Sequence, residues 1–176
     1  MDTKRETLLP LATYASVATA ILLVGLKTWA WLASGSVSLL ASLVDSLTDS
    51  LASIVNLFAV RLALRPADDN HPFGHGKAES LSALAQSAFI GGSAVFLLLN
   101  AVERLLHPQP LQQTTLGIAV MLVSLLLTLA LVLFQRWVLR RAQSQAVSAD
   151  SLHYVTDFAS NIVVLVALVL AAWGWQ

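Results

Sequence analysis

Read for its apolar and polar positions, the 176-residue chain alternates long hydrophobic runs with short polar breaks. A helix needs about 20 residues to cross roughly 30 Å of hydrocarbon. Five runs reach that length, at about Leu8–Ala33, Ser36–Leu64, Ser80–Leu105, Thr115–Val138 and Asp150–Trp173. The first follows Lys4 and Arg5, as a secretory signal would. It is longer than a signal core, however, and no small-x-small cleavage site follows, so it predicts a first helix. The pattern therefore predicts an all-α fold: a polytopic helical membrane bundle of five transmembrane helices that occupies residues 1–176.

Composition agrees with a lipid-embedded chain, at 57% hydrophobic and only 11% charged residues. A net charge of zero implies no nucleic-acid partner. The absence of cysteine excludes disulfides and thiolate chemistry, so any metal site must be built from oxygen and nitrogen. Basic residues mark the cytoplasmic side. Lys4 and Arg5 precede the first run, Arg61, Arg65 and Lys77 bracket the second connection, and Arg136, Arg140 and Arg141 follow the fourth run. The N-terminus is thus expected inside, with Trp29, Trp31, Trp173 and Trp175 in an aromatic belt near the outer boundary. Lys27, close to the end of the first run, is expected to snorkel to the interface. Gly35, Gly91, Gly92 and Gly117 are expected to permit close helix packing.

Two polar pairs interrupt this scheme. In "SLVDSLTDSLASIVNLF", Asp45 and Asp49 stand four residues apart, on one helical face. An aspartate at a helix centre costs roughly 2.5–3.5 kcal/mol on insertion scales, so the pair needs a partner. Ser42, Ser46, Ser50, Ser53 and Asn56 extend the same polar stripe. The fifth run supplies His153 and Asp157 at the same spacing. Two helices that each offer two such ligands can enclose one tetrahedral dication, and the thiol-free set suits Zn²⁺, with Cd²⁺, Fe²⁺, Co²⁺ or Mn²⁺ as alternatives. A proton relay without metal and a structural ion pair are the competing readings of the acids.

Between the second and third runs, "RPADDNHPFGHGKAES" is broken by Pro66, Pro72, Gly74 and Gly76. Asp68, His71 and His75 form three potential ligands of a second, cytoplasmic metal site, with Asp69 as an alternative to Asp68. A solvated polar loop is the competing reading. Lys77 and Glu79 are expected to act on the start of the third helix through their charge.

Together, the D-x-x-x-D helix, the "HPFGHGK" loop and the H-x-x-x-D helix resemble the transmembrane domain of the cation diffusion facilitators, and in particular the bacterial zinc and ferrous-iron efflux pumps of that family. The resemblance covers nearly the whole chain. It implies efflux of a divalent cation (Zn²⁺, also Cd²⁺ or Fe²⁺) as transported substrate, in exchange for protons, across the bacterial inner membrane. It implies alternating access around Asp45, Asp49, His153 and Asp157, a loop site at Asp68, His71 and His75, proton coupling through His153, no organic cofactor and a homodimer. Family members have six helices and a cytoplasmic ferredoxin-like domain, in which a carboxylate pairs with the lysine that Lys77 matches. This chain stops after five runs and is expected to be a truncated form that lacks both. The alternative function is accordingly a non-transporting metal-binding membrane fragment or subunit. An intramembrane enzyme is disfavoured, since neither H-E-x-x-H nor G-x-S-x-G occurs.

Overall fold

A computed structural model describes residues 3–106 and 115–172. Their regular structure is helical throughout, in the order α1 (Thr3–Ser34), α2 (Val37–Ala63), α3 (Lys77–Leu106), α4 (Thr115–Leu139) and α5 (Gln145–Ala172). Trp173 and Trp175, assigned to the aromatic belt, lie outside the described residues. The helices α1, α2 and α4 are long and apolar enough to cross a membrane. At 30 and 28 residues, α3 and α5 are also long enough, but they are more polar. Their polar side chains Glu79, Ser82, Gln86, Asp150, Ser151 and His153 are buried in the bundle, away from lipid.

Several helix starts come earlier than the hydrophobic pattern predicts, for local reasons. Ser144 caps α5: its hydroxyl accepts from the Val147 amide at 3.1 Å and its carbonyl from the Ser148 amide at 3.1 Å. The helix therefore begins five residues before Asp150. Turn bonds from Ala78 to His75 and from Glu79 to Gly76 lead the loop into α3 at Lys77. Gly35, with φ +62°, ends α1 by donating to the Trp31 carbonyl at 2.8 Å, and α2 starts two residues later. The result is a tight antiparallel hairpin. By contrast, a Cβ added to Gly91 or Gly92 would meet nothing within 4 Å, so the expected close packing is not made there among the described residues.

The basic ends of the helices converge. Leu9 and Ala12 of α1, Val60 of α2, Val138 of α4 and Ala146 and Val147 of α5 form one buried apolar cluster there. Nearby, Glu79 at the start of α3 accepts from Arg5 at 2.9 Å and from the Ser144 hydroxyl, which ties three elements together. Glu79 thus does more than act on its own helix end. At the opposite end Ala30, Leu39 and Val120 pack together with Trp31 against them, while Trp29 is exposed.

Candidate metal centre

The polar stripe on α2 turns toward α5. Asn56 is buried and accepts from the Ser82 hydroxyl of α3 at 3.0 Å, and Ser53 is hydrogen-bonded to the Tyr154 hydroxyl at 2.8 Å. These contacts fix the rotation of α2, so that Asp49, one turn before Ser53, meets α5. His153 Nε2 lies 3.0 Å from Asp49 Oδ1 and 3.4 Å from Asp157 Oδ2. The ligand atoms of Asp49, His153 and Asp157 all fall within 4.8 Å of one another. Phe89 of α3 sets its ring edge-on to the imidazole at 5.4 Å, which walls the site with apolar surface. Asp157 Oδ2 is buried and has no hydrogen-bond partner among the described residues. A buried carboxylate oxygen left open in this way is suited to a cation.

Of the four residues predicted for this site, three converge. Asp45, one turn earlier on α2, is exposed and stands outside the cluster. Lys27 also departs from expectation. Instead of extending to the interface, its ammonium donates to the Ser42 carbonyl at 3.2 Å and the Ser46 hydroxyl at 2.6 Å, because those groups face α1 across the hairpin.

The loop folds as its spacing suggests. Asp68 Oδ1 accepts from the backbone amides of His71 (2.7 Å) and Asn70 (3.1 Å), an Asx-type turn that brings the carboxylate over the imidazoles. His71 Nδ1 lies 3.1 Å from Asp68 Oδ1, His75 Nε2 lies 3.5 Å from Asp68 Oδ2, and the two rings stand 4.4 Å apart. Gly74, with φ +75°, supplies the reversal between the histidines. Asp69 has no place in this trio. Desolvation is the largest single influence on the Asp68 carboxyl and raises its pKa, but the hydrogen bonds and charge of His71, with the charge of His75, together outweigh it and hold the carboxyl below its ordinary value.

Sequence spacing gave no hint of a third polar assembly. Asp150 is fully buried, and its Oδ2 accepts from the Ser16 hydroxyl of α1 (2.6 Å) and from Gln135 Nε2 of α4 (2.7 Å). Its Oδ1 accepts from Gln86 Nε2 of α3 at 3.2 Å. Four helices thus meet at one carboxylate, one turn from His153. The available signal was the cost of isolated polar residues inside apolar runs, each of which requires a partner.

Residues 13–176 match the sequence profile of the cation efflux transmembrane domain. The chain belongs to the cation diffusion facilitator family. It is 56% identical over 165 residues to the cation-efflux pump FieF of Klebsiella pneumoniae, covering 94% of this chain and 55% of the relative. The FieF pump of Escherichia fergusonii is 56% identical with the same coverage. That of Shewanella oneidensis is 57% identical, over 94% of this chain and 56% of the relative. This cation diffusion facilitator chain therefore spans about half the length of the curated relatives it matches.

Proposed function

We propose that the chain forms the membrane pathway of a proton-coupled divalent-cation exporter. It carries Zn²⁺, and with the same ligand set Cd²⁺ and Fe²⁺, out across the bacterial inner membrane with its N-terminus in the cytoplasm. The observation that carries this reading is the Asp49, His153 and Asp157 cluster, drawn from two helices into a 4.8 Å group inside the helical bundle. Asp45, on the same face of α2, joins it as fourth ligand when a dication draws the carboxylates together. Two carboxylates and an imidazole bind metal only when deprotonated, so cation and protons compete for the same lone pairs. That competition couples the two fluxes: cargo arriving from the cytoplasm releases protons, and protons entering from outside expel the cargo. His153, hydrogen-bonded to Asp49, is the group through which the proton passes.

Asp68, His71 and His75 form a second, more exchangeable site on the cytoplasmic side. The orientation is supported by Arg5, Arg61, Arg65, Arg136, Arg140 and Arg141, which all belong to the converging basic ends of the helices. The test uses a His71→Ala/His75→Ala chain in detergent, titrated calorimetrically with Zn²⁺ in buffers of different ionisation enthalpy. Binding with proton release is expected, and Asp49→Ala is expected to abolish both. Zn²⁺ binding that survives Asp49→Ala unchanged would sink the proposal. Where binding is lost as expected, Zn²⁺ flux against a proton gradient in liposomes is the second arm.

A further inference from the structure

Lys27 lies near the outer end of α1, where a lysine ordinarily reaches for the headgroups. It is instead folded back against α2, held by the Ser42 carbonyl and the Ser46 hydroxyl. Those residues bracket Asp45, three positions before it and one after. The ammonium is therefore pinned to the helix that carries Asp45 and Asp49, beside the first and about one turn before the second. It also borders a cavity of about 140 Å³ shared with Ser42, Ser124 of α4 and Asn161 of α5. Asn161 is one turn beyond Asp157, and the Ser124 hydroxyl is buried with no hydrogen-bond partner among the described residues. The cavity, lined by serines and Asn161 as well as by Leu39, Val120 and Met121, has room for several waters, which would allow the ammonium to be solvated without leaving the bundle.

Three carboxylates without a cation in low dielectric repel one another, and a resident positive charge relieves that repulsion. Building on the exporter reading above, we propose that Lys27 is the resident counter-cation of the transport site. It offsets part of the carboxylate charge when no dication is bound and opposes the dication that replaces it. Lys27 thereby weakens metal binding and favours release. A merely structural lysine would do the reverse, since its loss would loosen α1 against α2 and disorder the ligands.

The test is the Zn²⁺ affinity of the His71→Ala/His75→Ala chain in detergent, compared with the same chain carrying Lys27→Met, Lys27→Gln or Lys27→Arg. Removing one opposing charge about a helical turn away is expected to tighten binding roughly tenfold. Lys27→Gln keeps a donor for Ser42 and Ser46 and serves where Lys27→Met fails to fold, as judged by thermal melting. Lys27→Arg, which keeps the charge, is expected to hold the parental affinity. Unchanged or weaker binding in folded Lys27→Gln overturns the counter-cation role, as does equal tightening by Lys27→Arg. Absence of Zn²⁺ binding in the chain with Lys27 intact is a different result, which overturns the exporter reading itself and this role with it.

Discussion

Replacing Asp150 by alanine tests how far one buried carboxylate holds four helices together. Its three hydrogen bonds are not equal. The two to Oδ2, at 2.6 and 2.7 Å, are short, whereas that to Oδ1, at 3.2 Å, is longer. Two of the three donors keep an alternative once the carboxylate is gone. Ser16 retains the Ala12 carbonyl at 3.1 Å, and Gln135 retains the Ser16 oxygen at 2.8 Å. Gln86 has no other hydrogen-bond partner among the described residues and is left as a buried unsatisfied amide, at roughly 1–3 kcal/mol. The two short bonds add about 1 kcal/mol each, below the soluble range because polar contacts within membranes average only about 0.6 kcal/mol. Asp150→Ala is therefore expected to destabilise the bundle by about 3–5 kcal/mol. At about 2–4 °C per kcal/mol for a chain of this size, the melting temperature in detergent falls by roughly 6–20 °C. Asp150→Asn, which keeps an acceptor for Ser16 and Gln135, should lose less than half as much. An Asp150→Ala chain that melts within about 2 °C of the parent would refute this reasoning, as would an Asn variant no better than the alanine.

Two further predictions concern neighbouring contacts. Tyr154→Phe removes the hydroxyl bonded to Ser53 while keeping the buried ring, and should cost about 1 kcal/mol in the same melt; no change would show that Ser53 and Tyr154 do not fix the rotation of α2. In the loop, the lowered Asp68 pKa means that the carboxylate's stabilisation of the turn is fully present above its ordinary value of 3.8 and is lost as pH falls through the lower folded value. Amide exchange at Asn70 and His71 should therefore stay protected down to pH 4, and loss of protection between pH 6 and 5 would contradict the Asp68 turn.

What the sequence revealed and what it concealed follow from distance along the chain. Asp45 with Asp49, and His153 with Asp157, are i, i+4 pairs, and Asp68, His71 and His75 sit within one turn-rich segment, so local spacing announces all three groups. The Asp150 assembly has no such spacing, because its donors lie 134, 64 and 15 residues away and each occurs singly on its own helix. Helix rotation decides which isolated polar side chains meet, and one-dimensional periodicity constrains that only to a face. The same limit explains Lys27. Its position near a helix end suggested the interface, while the hairpin at Gly35 set it against the serines of α2. The five runs were legible because the cost of exposing backbone and charge to lipid is nearly uniform along the chain. Their early starts were not, since Ser144 and the His75–Gly76 turn act through hydrogen bonds that carry no hydrophobic signal.

The Gly35 hairpin also has a mechanical consequence. With only two residues between them, α1 and α2 cannot slide independently, so Asp49 and Lys27 travel as one arm while His153 and Asp157 travel with α5. The cluster is the seam between these two arms. An offset of a single residue between them amounts to about 1.5 Å along the axis, whereas metal–ligand distances tolerate only about 0.2 Å. On the exporter reading proposed above, the seam would therefore work as a latch that opens on a displacement smaller than one peptide unit, with no helix having to unwind for a bound cation to be let go.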